Sequence, residues 1–169
     1  MNIEFYTNEF LSNVNAFESL LKDVDKVQIH WKQDDSKWSL LEIICHLYDE
    51  EREDFGARLK LLLESPGTPF VKIDPVAWVN ERKYSEQNYY AVLNKFINER
   101  NHTVDWLKSL KNPKWDNFYN HPKVGSVRAN FILVNWVAHD YLHIRQIIRL
   151  KYDYLKHLSG ESLDYAGNW

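Results

Sequence analysis

The feature that most constrains this chain is a period. Through four long stretches the apolar residues return every three or four positions, the spacing that lines one face of an α-helix. The first stretch starts near Asn8 and carries Phe10, Leu11, Val14, Phe17, Leu20, Leu21 and Val24. A polar connection from Gln28 to Lys37 comes next, with Trp31 in it and Trp38 at its end. Ser39 and Glu42 then fit a capping box, in which each side chain satisfies an orphan N–H of the first turn. The second helix is expected from there to about Glu64, stopping at Ser65-Pro66-Gly67. In the irregular segment after it, Asp74-Pro75 can open a short helix. Ser85 is the expected cap of the third helix, whose inner face is Tyr89, Val92, Leu93, Phe96, Val104 and Leu107, with Lys111-Asn112-Pro113 closing it. An aromatic-rich loop, Trp115 to Gly125, leads to Ser126 as the expected cap of the last helix. Its apolar positions are Phe131, Leu133, Val134, Trp136, Val137, Ile144, Ile147, Ile148 and Leu150, and it reaches about His157 before Ser159-Gly160.

Four such segments with no strand pattern between them predict an all-α four-helix bundle. Five Gly and five Pro are too few for the tight turns of a sandwich or barrel. The connections of roughly ten to twenty residues exceed the usual 2–8 of a simple up-down bundle, so at least one crossover is expected. With no repeat or linker, residues 1–169 read as a single domain with a short tail from about residue 159. A net charge of −3 gives no cationic field to collect phosphates, so nucleic acid is not an expected partner. One cysteine cannot form an internal disulfide or a Cys-based zinc finger, which fits a reducing cytoplasm. No apolar run approaches the roughly 18–20 residues that cross a bilayer, and Met1-Asn2-Ile3-Glu4-Phe5 lacks the pattern of a signal peptide. The expectation is a cytoplasmic protein without membrane contact.

If a metal binds here, imidazole must hold it. In His139-Asp140-Tyr141-Leu142-His143 the two histidines stand one above the other on a helix, and both rings can grip one ion. Two ligands rarely suffice. His46 is the natural third, because Ile43, Leu47 and Glu50 place it on or beside the buried face of the second helix. The competing account is a pair of histidines satisfied by hydrogen bonds at the bundle edge. H-D-x-x-H also approaches the zinc-peptidase H-E-x-x-H, but Asp140 is a methylene shorter than the general-base Glu and no sheet is predicted beside it. A di-iron bundle needs two Glu-x-x-His pairs, and only Glu99 with His102 supplies one.

Two stretches resemble the DinB/YfiT-like superfamily of DNA-damage-inducible and thiol-transferase-like metalloproteins. Trp38-Ser39-Leu40-Leu41-Glu42-Ile43-Ile44-Cys45-His46-Leu47 is similar to that family's tryptophan, cap and His-Leu. His139-Asp140-Tyr141-Leu142-His143-Ile144-Arg145-Gln146-Ile147 is similar to its H-x-x-x-H-x-x-Q-I. The resemblance implies an unusual four-helix bundle, often a homodimer, with His46, His139 and His143 as ligands of a divalent ion. Zinc or nickel is the first expectation for it, iron or manganese the second. Three neutral histidines leave a fourth position open to water or a thiol, the layout of a catalytic site. Characterised relatives include thiol S-transferases and thiol-dependent isomerases. The implied function is a thiol S-transferase-like enzyme acting on a small molecule, with a low-molecular-weight thiol as co-substrate. A metal-dependent hydrolase and a non-enzymatic stress or ligand-binding protein are the alternatives.

Around these ligands, Glu50 and Asp49 are the candidate catalytic bases, Glu50 preferred for its i+4 spacing from His46. The plain alternative is a solvated acidic patch with Glu51, Glu53 and Asp54. Asp140 reads as a partner of a ligand ring N–H or as a surface ion pair with Arg145 or Lys151. Cys45 reads as a small buried hydrophobe, Gln146 as a lining or hydrogen-bonding residue, and His121 as a loop or pocket-rim histidine. Trp38 is expected to plug the bundle end. Tyr165 and Trp169 are candidates for docking the tail onto the body or a second subunit.

Overall fold

The computed structural model describes residues 1–167. Helix α1 spans Ile3–Leu21 and starts earlier than its apolar pattern, because the Asn2 side chain accepts from the Phe5 N–H. A one-turn helix, α2 (Lys26–His30), lies in the polar connection and is capped by Asp25. Helix α3 (Leu40–Asp49) opens on the predicted box, with Ser39 N–H donating to Glu42 and Glu42 N–H to Ser39.

The second long helix is not continuous. Glu50–Phe55 is π-helical before α4 (Gly56–Glu64) resumes the ordinary pitch. A widened turn rotates the downstream helix face by about 100° per added residue. Only glycine fits at its end: a Cβ on Gly56 would collide with the Glu51 carbonyl oxygen and stand 3.2 Å from the Trp136 ring.

Asp74 caps the short α5 (Pro75–Glu81) as predicted. The third long helix, α6 (Tyr89–Ser109), is capped by Asn88, whose side chain accepts from Ala91 N–H. Ser85 instead sits in the 3₁₀ turn Tyr84–Glu86. The aromatic loop contains a hairpin that periodicity does not predict, β1 (Phe118–His121) against β2 (Gly125–Arg128). Ser126 therefore pairs with Asn120 and caps nothing. The first N–H groups of the last helix, α7 (Ala129–Ser159), go to loop carbonyls: Ala129 to Asn117 at 2.9 Å and Asn130 to Trp115 at 3.0 Å. Gly160, at φ 70°, ends it in the left-handed region that favours glycine.

Helix α1 packs on α6 and α7, α6 on α3, and α7 on α4. The consecutive long helices α1 and α3 thus face each other across a four-helix bundle, which is the expected crossover. The inner stripe of α7 is Leu133, Trp136, Asp140, His143, Ile147 and Leu150. Phe131, Val134 and Ile148, expected to face inward, are exposed. Tyr165 is fully exposed, so it does not dock the tail onto the body, while Trp169 lies outside the described residues. No helix among the described residues is long and apolar enough to cross a membrane.

Candidate metal centre

His46 comes from the middle of α3 and His139 and His143 from successive turns of α7. The fold brings them together: one ring nitrogen from each lies within 4.8 Å of the others. His139 Nε2 and His143 Nε2 are 3.0 Å apart. Three imidazoles on one tetrahedral ion hold their nitrogens roughly 3.3 Å apart, so that pair already has the right spacing. Gln146 fixes the His143 ring, its Oε1 being 2.8 Å from Nδ1. With Nδ1–H donating to that amide oxygen, the lone pair sits on Nε2, toward His139. The Trp38 ring packs, tilted, with its centre 4.8 Å from that of His46, and the Phe55 ring likewise 5.0 Å from that of His139.

Burial holds all three rings neutral. Desolvation, then the neighbouring His143, pushes His46 down to about 3. Desolvation, then His143, His46 and Arg100, pushes His139 down to about 2. His143 is also lowered by desolvation, against the pull of Gln146 and Asp140. Each ring therefore keeps a lone pair available at neutral pH. His46 Nδ1 is buried and has no hydrogen-bond partner. A buried polar atom without a partner costs on the order of 1–3 kcal/mol, and a cation is a partner that a neutral imidazole can take. The residues fit a divalent ion.

Among the described residues no carboxylate joins this cluster. Asp49 is occupied elsewhere. Its Oδ2 accepts from Tyr84 Oη at 2.7 Å and lies 2.7 Å from Arg82, while Oδ1 accepts from Arg52 at 3.0 Å. Glu50 is buried beside Asp54, and desolvation followed by that second carboxylate raises it to about 8, so it is protonated at neutral pH. The solvated patch is not what forms: Glu50, Glu51 and Asp49 are all buried.

The charged cluster that periodicity did not expose lies beside the histidines. Arg100 on α6, 1% exposed, donates from Nε and Nη2 to Glu51 at 2.8 and 2.7 Å and from both Nη atoms to Asp140. Trp136 Nε1 adds a donor to Glu51 and Asn13 one to Asp140, each at 3.1 Å. Asp140 is thus neither a surface ion pair with Arg145 or Lys151 nor a hydrogen-bond partner of a ligand ring. Cys45 is buried as expected, with its thiol pushed up to about 12 by desolvation and then by Asp49 and Glu42. His121 stays in the hairpin, where its Nδ1 accepts from Lys123 N–H, away from the three histidines.

A helical bundle with three histidines converging between two of its long helices is the class that fold and site define. The family model of the DinB superfamily matches residues 9–147, and the chain belongs to that superfamily. The structure is similar to that of YfiT from Bacillus subtilis, described as a probable metal-dependent hydrolase with an unusual four-helix bundle topology. The TM-score is 0.78 at 17% sequence identity, covering 95% of this chain and 89% of that one. No curated protein matches the sequence.

Proposed function

We propose that this protein is a metal-dependent enzyme that activates a small nucleophile, water or a thiol, at His46, His139 and His143. The observation that carries the reading is the orphaned His46 Nδ1 among three neutral, converging imidazoles. A divalent ion held by these three histidines would supply Lewis acidity, lowering the pKa of a bound nucleophile. Zinc or nickel suits three imidazoles best. The protein's own groups do the rest. Gln146 holds His143 in one tautomer, and Trp38 and Phe55 wall the rings from solvent. Glu50, four residues after His46 and raised to about 8, is the candidate acid that would protonate a leaving group. Asp49 is engaged by Tyr84, Arg82 and Arg52.

Hydrolysis is the first reading, since the structurally similar YfiT is described as a probable metal-dependent hydrolase and a protonated Glu50 would serve to protonate a leaving group. Thiol S-transfer is the second. The one cysteine is buried with a raised pKa, so any reacting thiol arrives with the substrate. Elemental analysis of untagged protein tests the site: stoichiometric metal in the native protein and none in His139→Ala/His143→Ala is expected, and equal content refutes it. Added metal should stabilise the native protein by about 3–4 kcal/mol at 100–1,000 times its Kd and leave the double variant unmoved. Turnover of ester or amide substrates without added thiol supports hydrolysis. Turnover only with a low-molecular-weight thiol supports transfer.

A further inference from the structure

Beside the three histidines lies a second feature of the surface, whose cationic side chains have no role in the chemistry above. A groove of about 550 Å³ runs between the end of the polar connection and the outer flank of α7, with Lys37, Arg145, Arg149, Trp38 and Gln146 among its walls. That volume lies within the roughly 300–1,000 Å³ of small-molecule sites. Its charge runs against the net −3 of the chain. Arg149 is tied to Asp153 at 2.9 Å, and Gln33 reaches the same carboxylate at 3.1 Å. Among the described residues Arg145 and Lys37 make no ion pair. Arg145 is one turn from Arg149 on the same helix, and the Asp153 carboxylate already answers Arg149. Arg145, with Lys37 also lining the groove, is left to take an anion from solution.

Two walls connect this groove to the candidate centre. Gln146 is hydrogen-bonded to His143 at 2.8 Å, and the Trp38 ring lies 4.8 Å from that of His46. A molecule held in the groove is one side chain from two of the three histidines. We infer that the groove is the anchoring subsite for the substrate, which carries a carboxylate or phosphate bound by Arg145 and Lys37 while its reacting end passes Trp38 toward the histidines. The inference rests on the reading of the histidines as the reacting end. Arginine grips either anion with two parallel N–H donors, and lysine adds a point charge.

Calorimetric titration of the full chain, metal-loaded and chelator-treated, tests this with succinate, pyrophosphate and uncharged succinamide. The expected result is binding of succinate or pyrophosphate and not of succinamide, weakened at least ~10-fold in Lys37→Ala/Arg145→Ala. Arg145→Lys should recover part of the loss. The stronger anion identifies the substrate group as carboxylate or phosphate. Both substituted side chains are on the surface, and an unchanged circular dichroism spectrum confirms the fold of the variants. No binding, equal binding of succinamide, or full binding by the double variant overturns the subsite. So does binding that vanishes in His139→Ala/His143→Ala but survives in Lys37→Ala/Arg145→Ala, since the anion is then on the metal. Groove-dependent binding in a protein that takes up no metal keeps the subsite and overturns the function proposed above.

Discussion

Two polar clusters interrupt the apolar interior of this bundle, side by side, and they are built on opposite principles. In the first, Arg100 is held by Glu51 and Asp140, and Trp136 and Asn13 supply further donors. Every charge there has a partner. In the second, three imidazoles converge with no opposite charge among them, and His46 Nδ1 is left unsatisfied. The two clusters share helix α7, on which Asp140 directly follows His139. Buried charges persist when their hydrogen bonds are complete, so the first cluster is a joint, tying α1, the π-helical turn, α6 and α7. An incomplete cluster in the same interior costs stability and is the mark of a place where something binds.

Removing a partner from the complete cluster should do the greatest damage. Arg100→Met leaves two buried carboxylates unpaired, and a loss of about 3–5 kcal/mol is expected, measurable as a collapse of the urea midpoint. The incomplete cluster should respond with the other sign. His46→Leu removes an unsatisfied buried atom, so the metal-free protein is expected to gain about 1–3 kcal/mol while losing its metal. A destabilised metal-free His46→Leu would show that the imidazole has a partner after all and that the contrast is false.

Gly56→Ala probes the turn beside the complete cluster. Its Cβ meets the Glu51 carbonyl and the Trp136 ring, so a loss of about 1–3 kcal/mol is expected from overpacking. Retained metal content would show that the damage stays on that side. The most gradual effect is a pH dependence, spread over several pH units. Glu50 is raised in the fold from its ordinary value of 4.5 to about 8. Its contribution is fully present below pH 4.5 and is lost as pH rises through 8. Thermal melts of metal-free Glu50→Gln should match the native protein near pH 4.5 and exceed it near pH 8.5, the offset opening between the two. A constant offset would contradict a titrating Glu50.

Much of the candidate site was legible because histidine is informative when it recurs at helical spacing inside an apolar run. The same holds for the caps at Ser39 and Asp74, where a side chain makes the decisive hydrogen bond. The charged joint was hidden for a reason with a location. Counting on from His46 at α-helical pitch treats Glu51 as one more member of an acidic patch, and the π-helical turn changes the count at Glu50. Arg100 and Asp140 did carry a signal. Arg100 lies four residues from both Phe96 and Val104, and Asp140 four after Trp136 and three before His143, so each continues a buried stripe. A charged residue in phase with a core stripe invites a search for its partner. The outward-facing Phe131, Val134 and Ile148 are the converse, apolar residues slightly out of phase with that stripe.

The start of α7 has a consequence of its own. Its first two N–H groups are received by the carbonyls of Asn117 and Trp115, so the helix begins on main-chain atoms that every amino acid provides. Ser126 and Arg128 can then be exchanged without disturbing where the helix starts, so long as the hairpin keeps its register. Here the information that places an end of the longest helix is stored in the path of the chain. Relatives can preserve that junction through wide divergence in its letters.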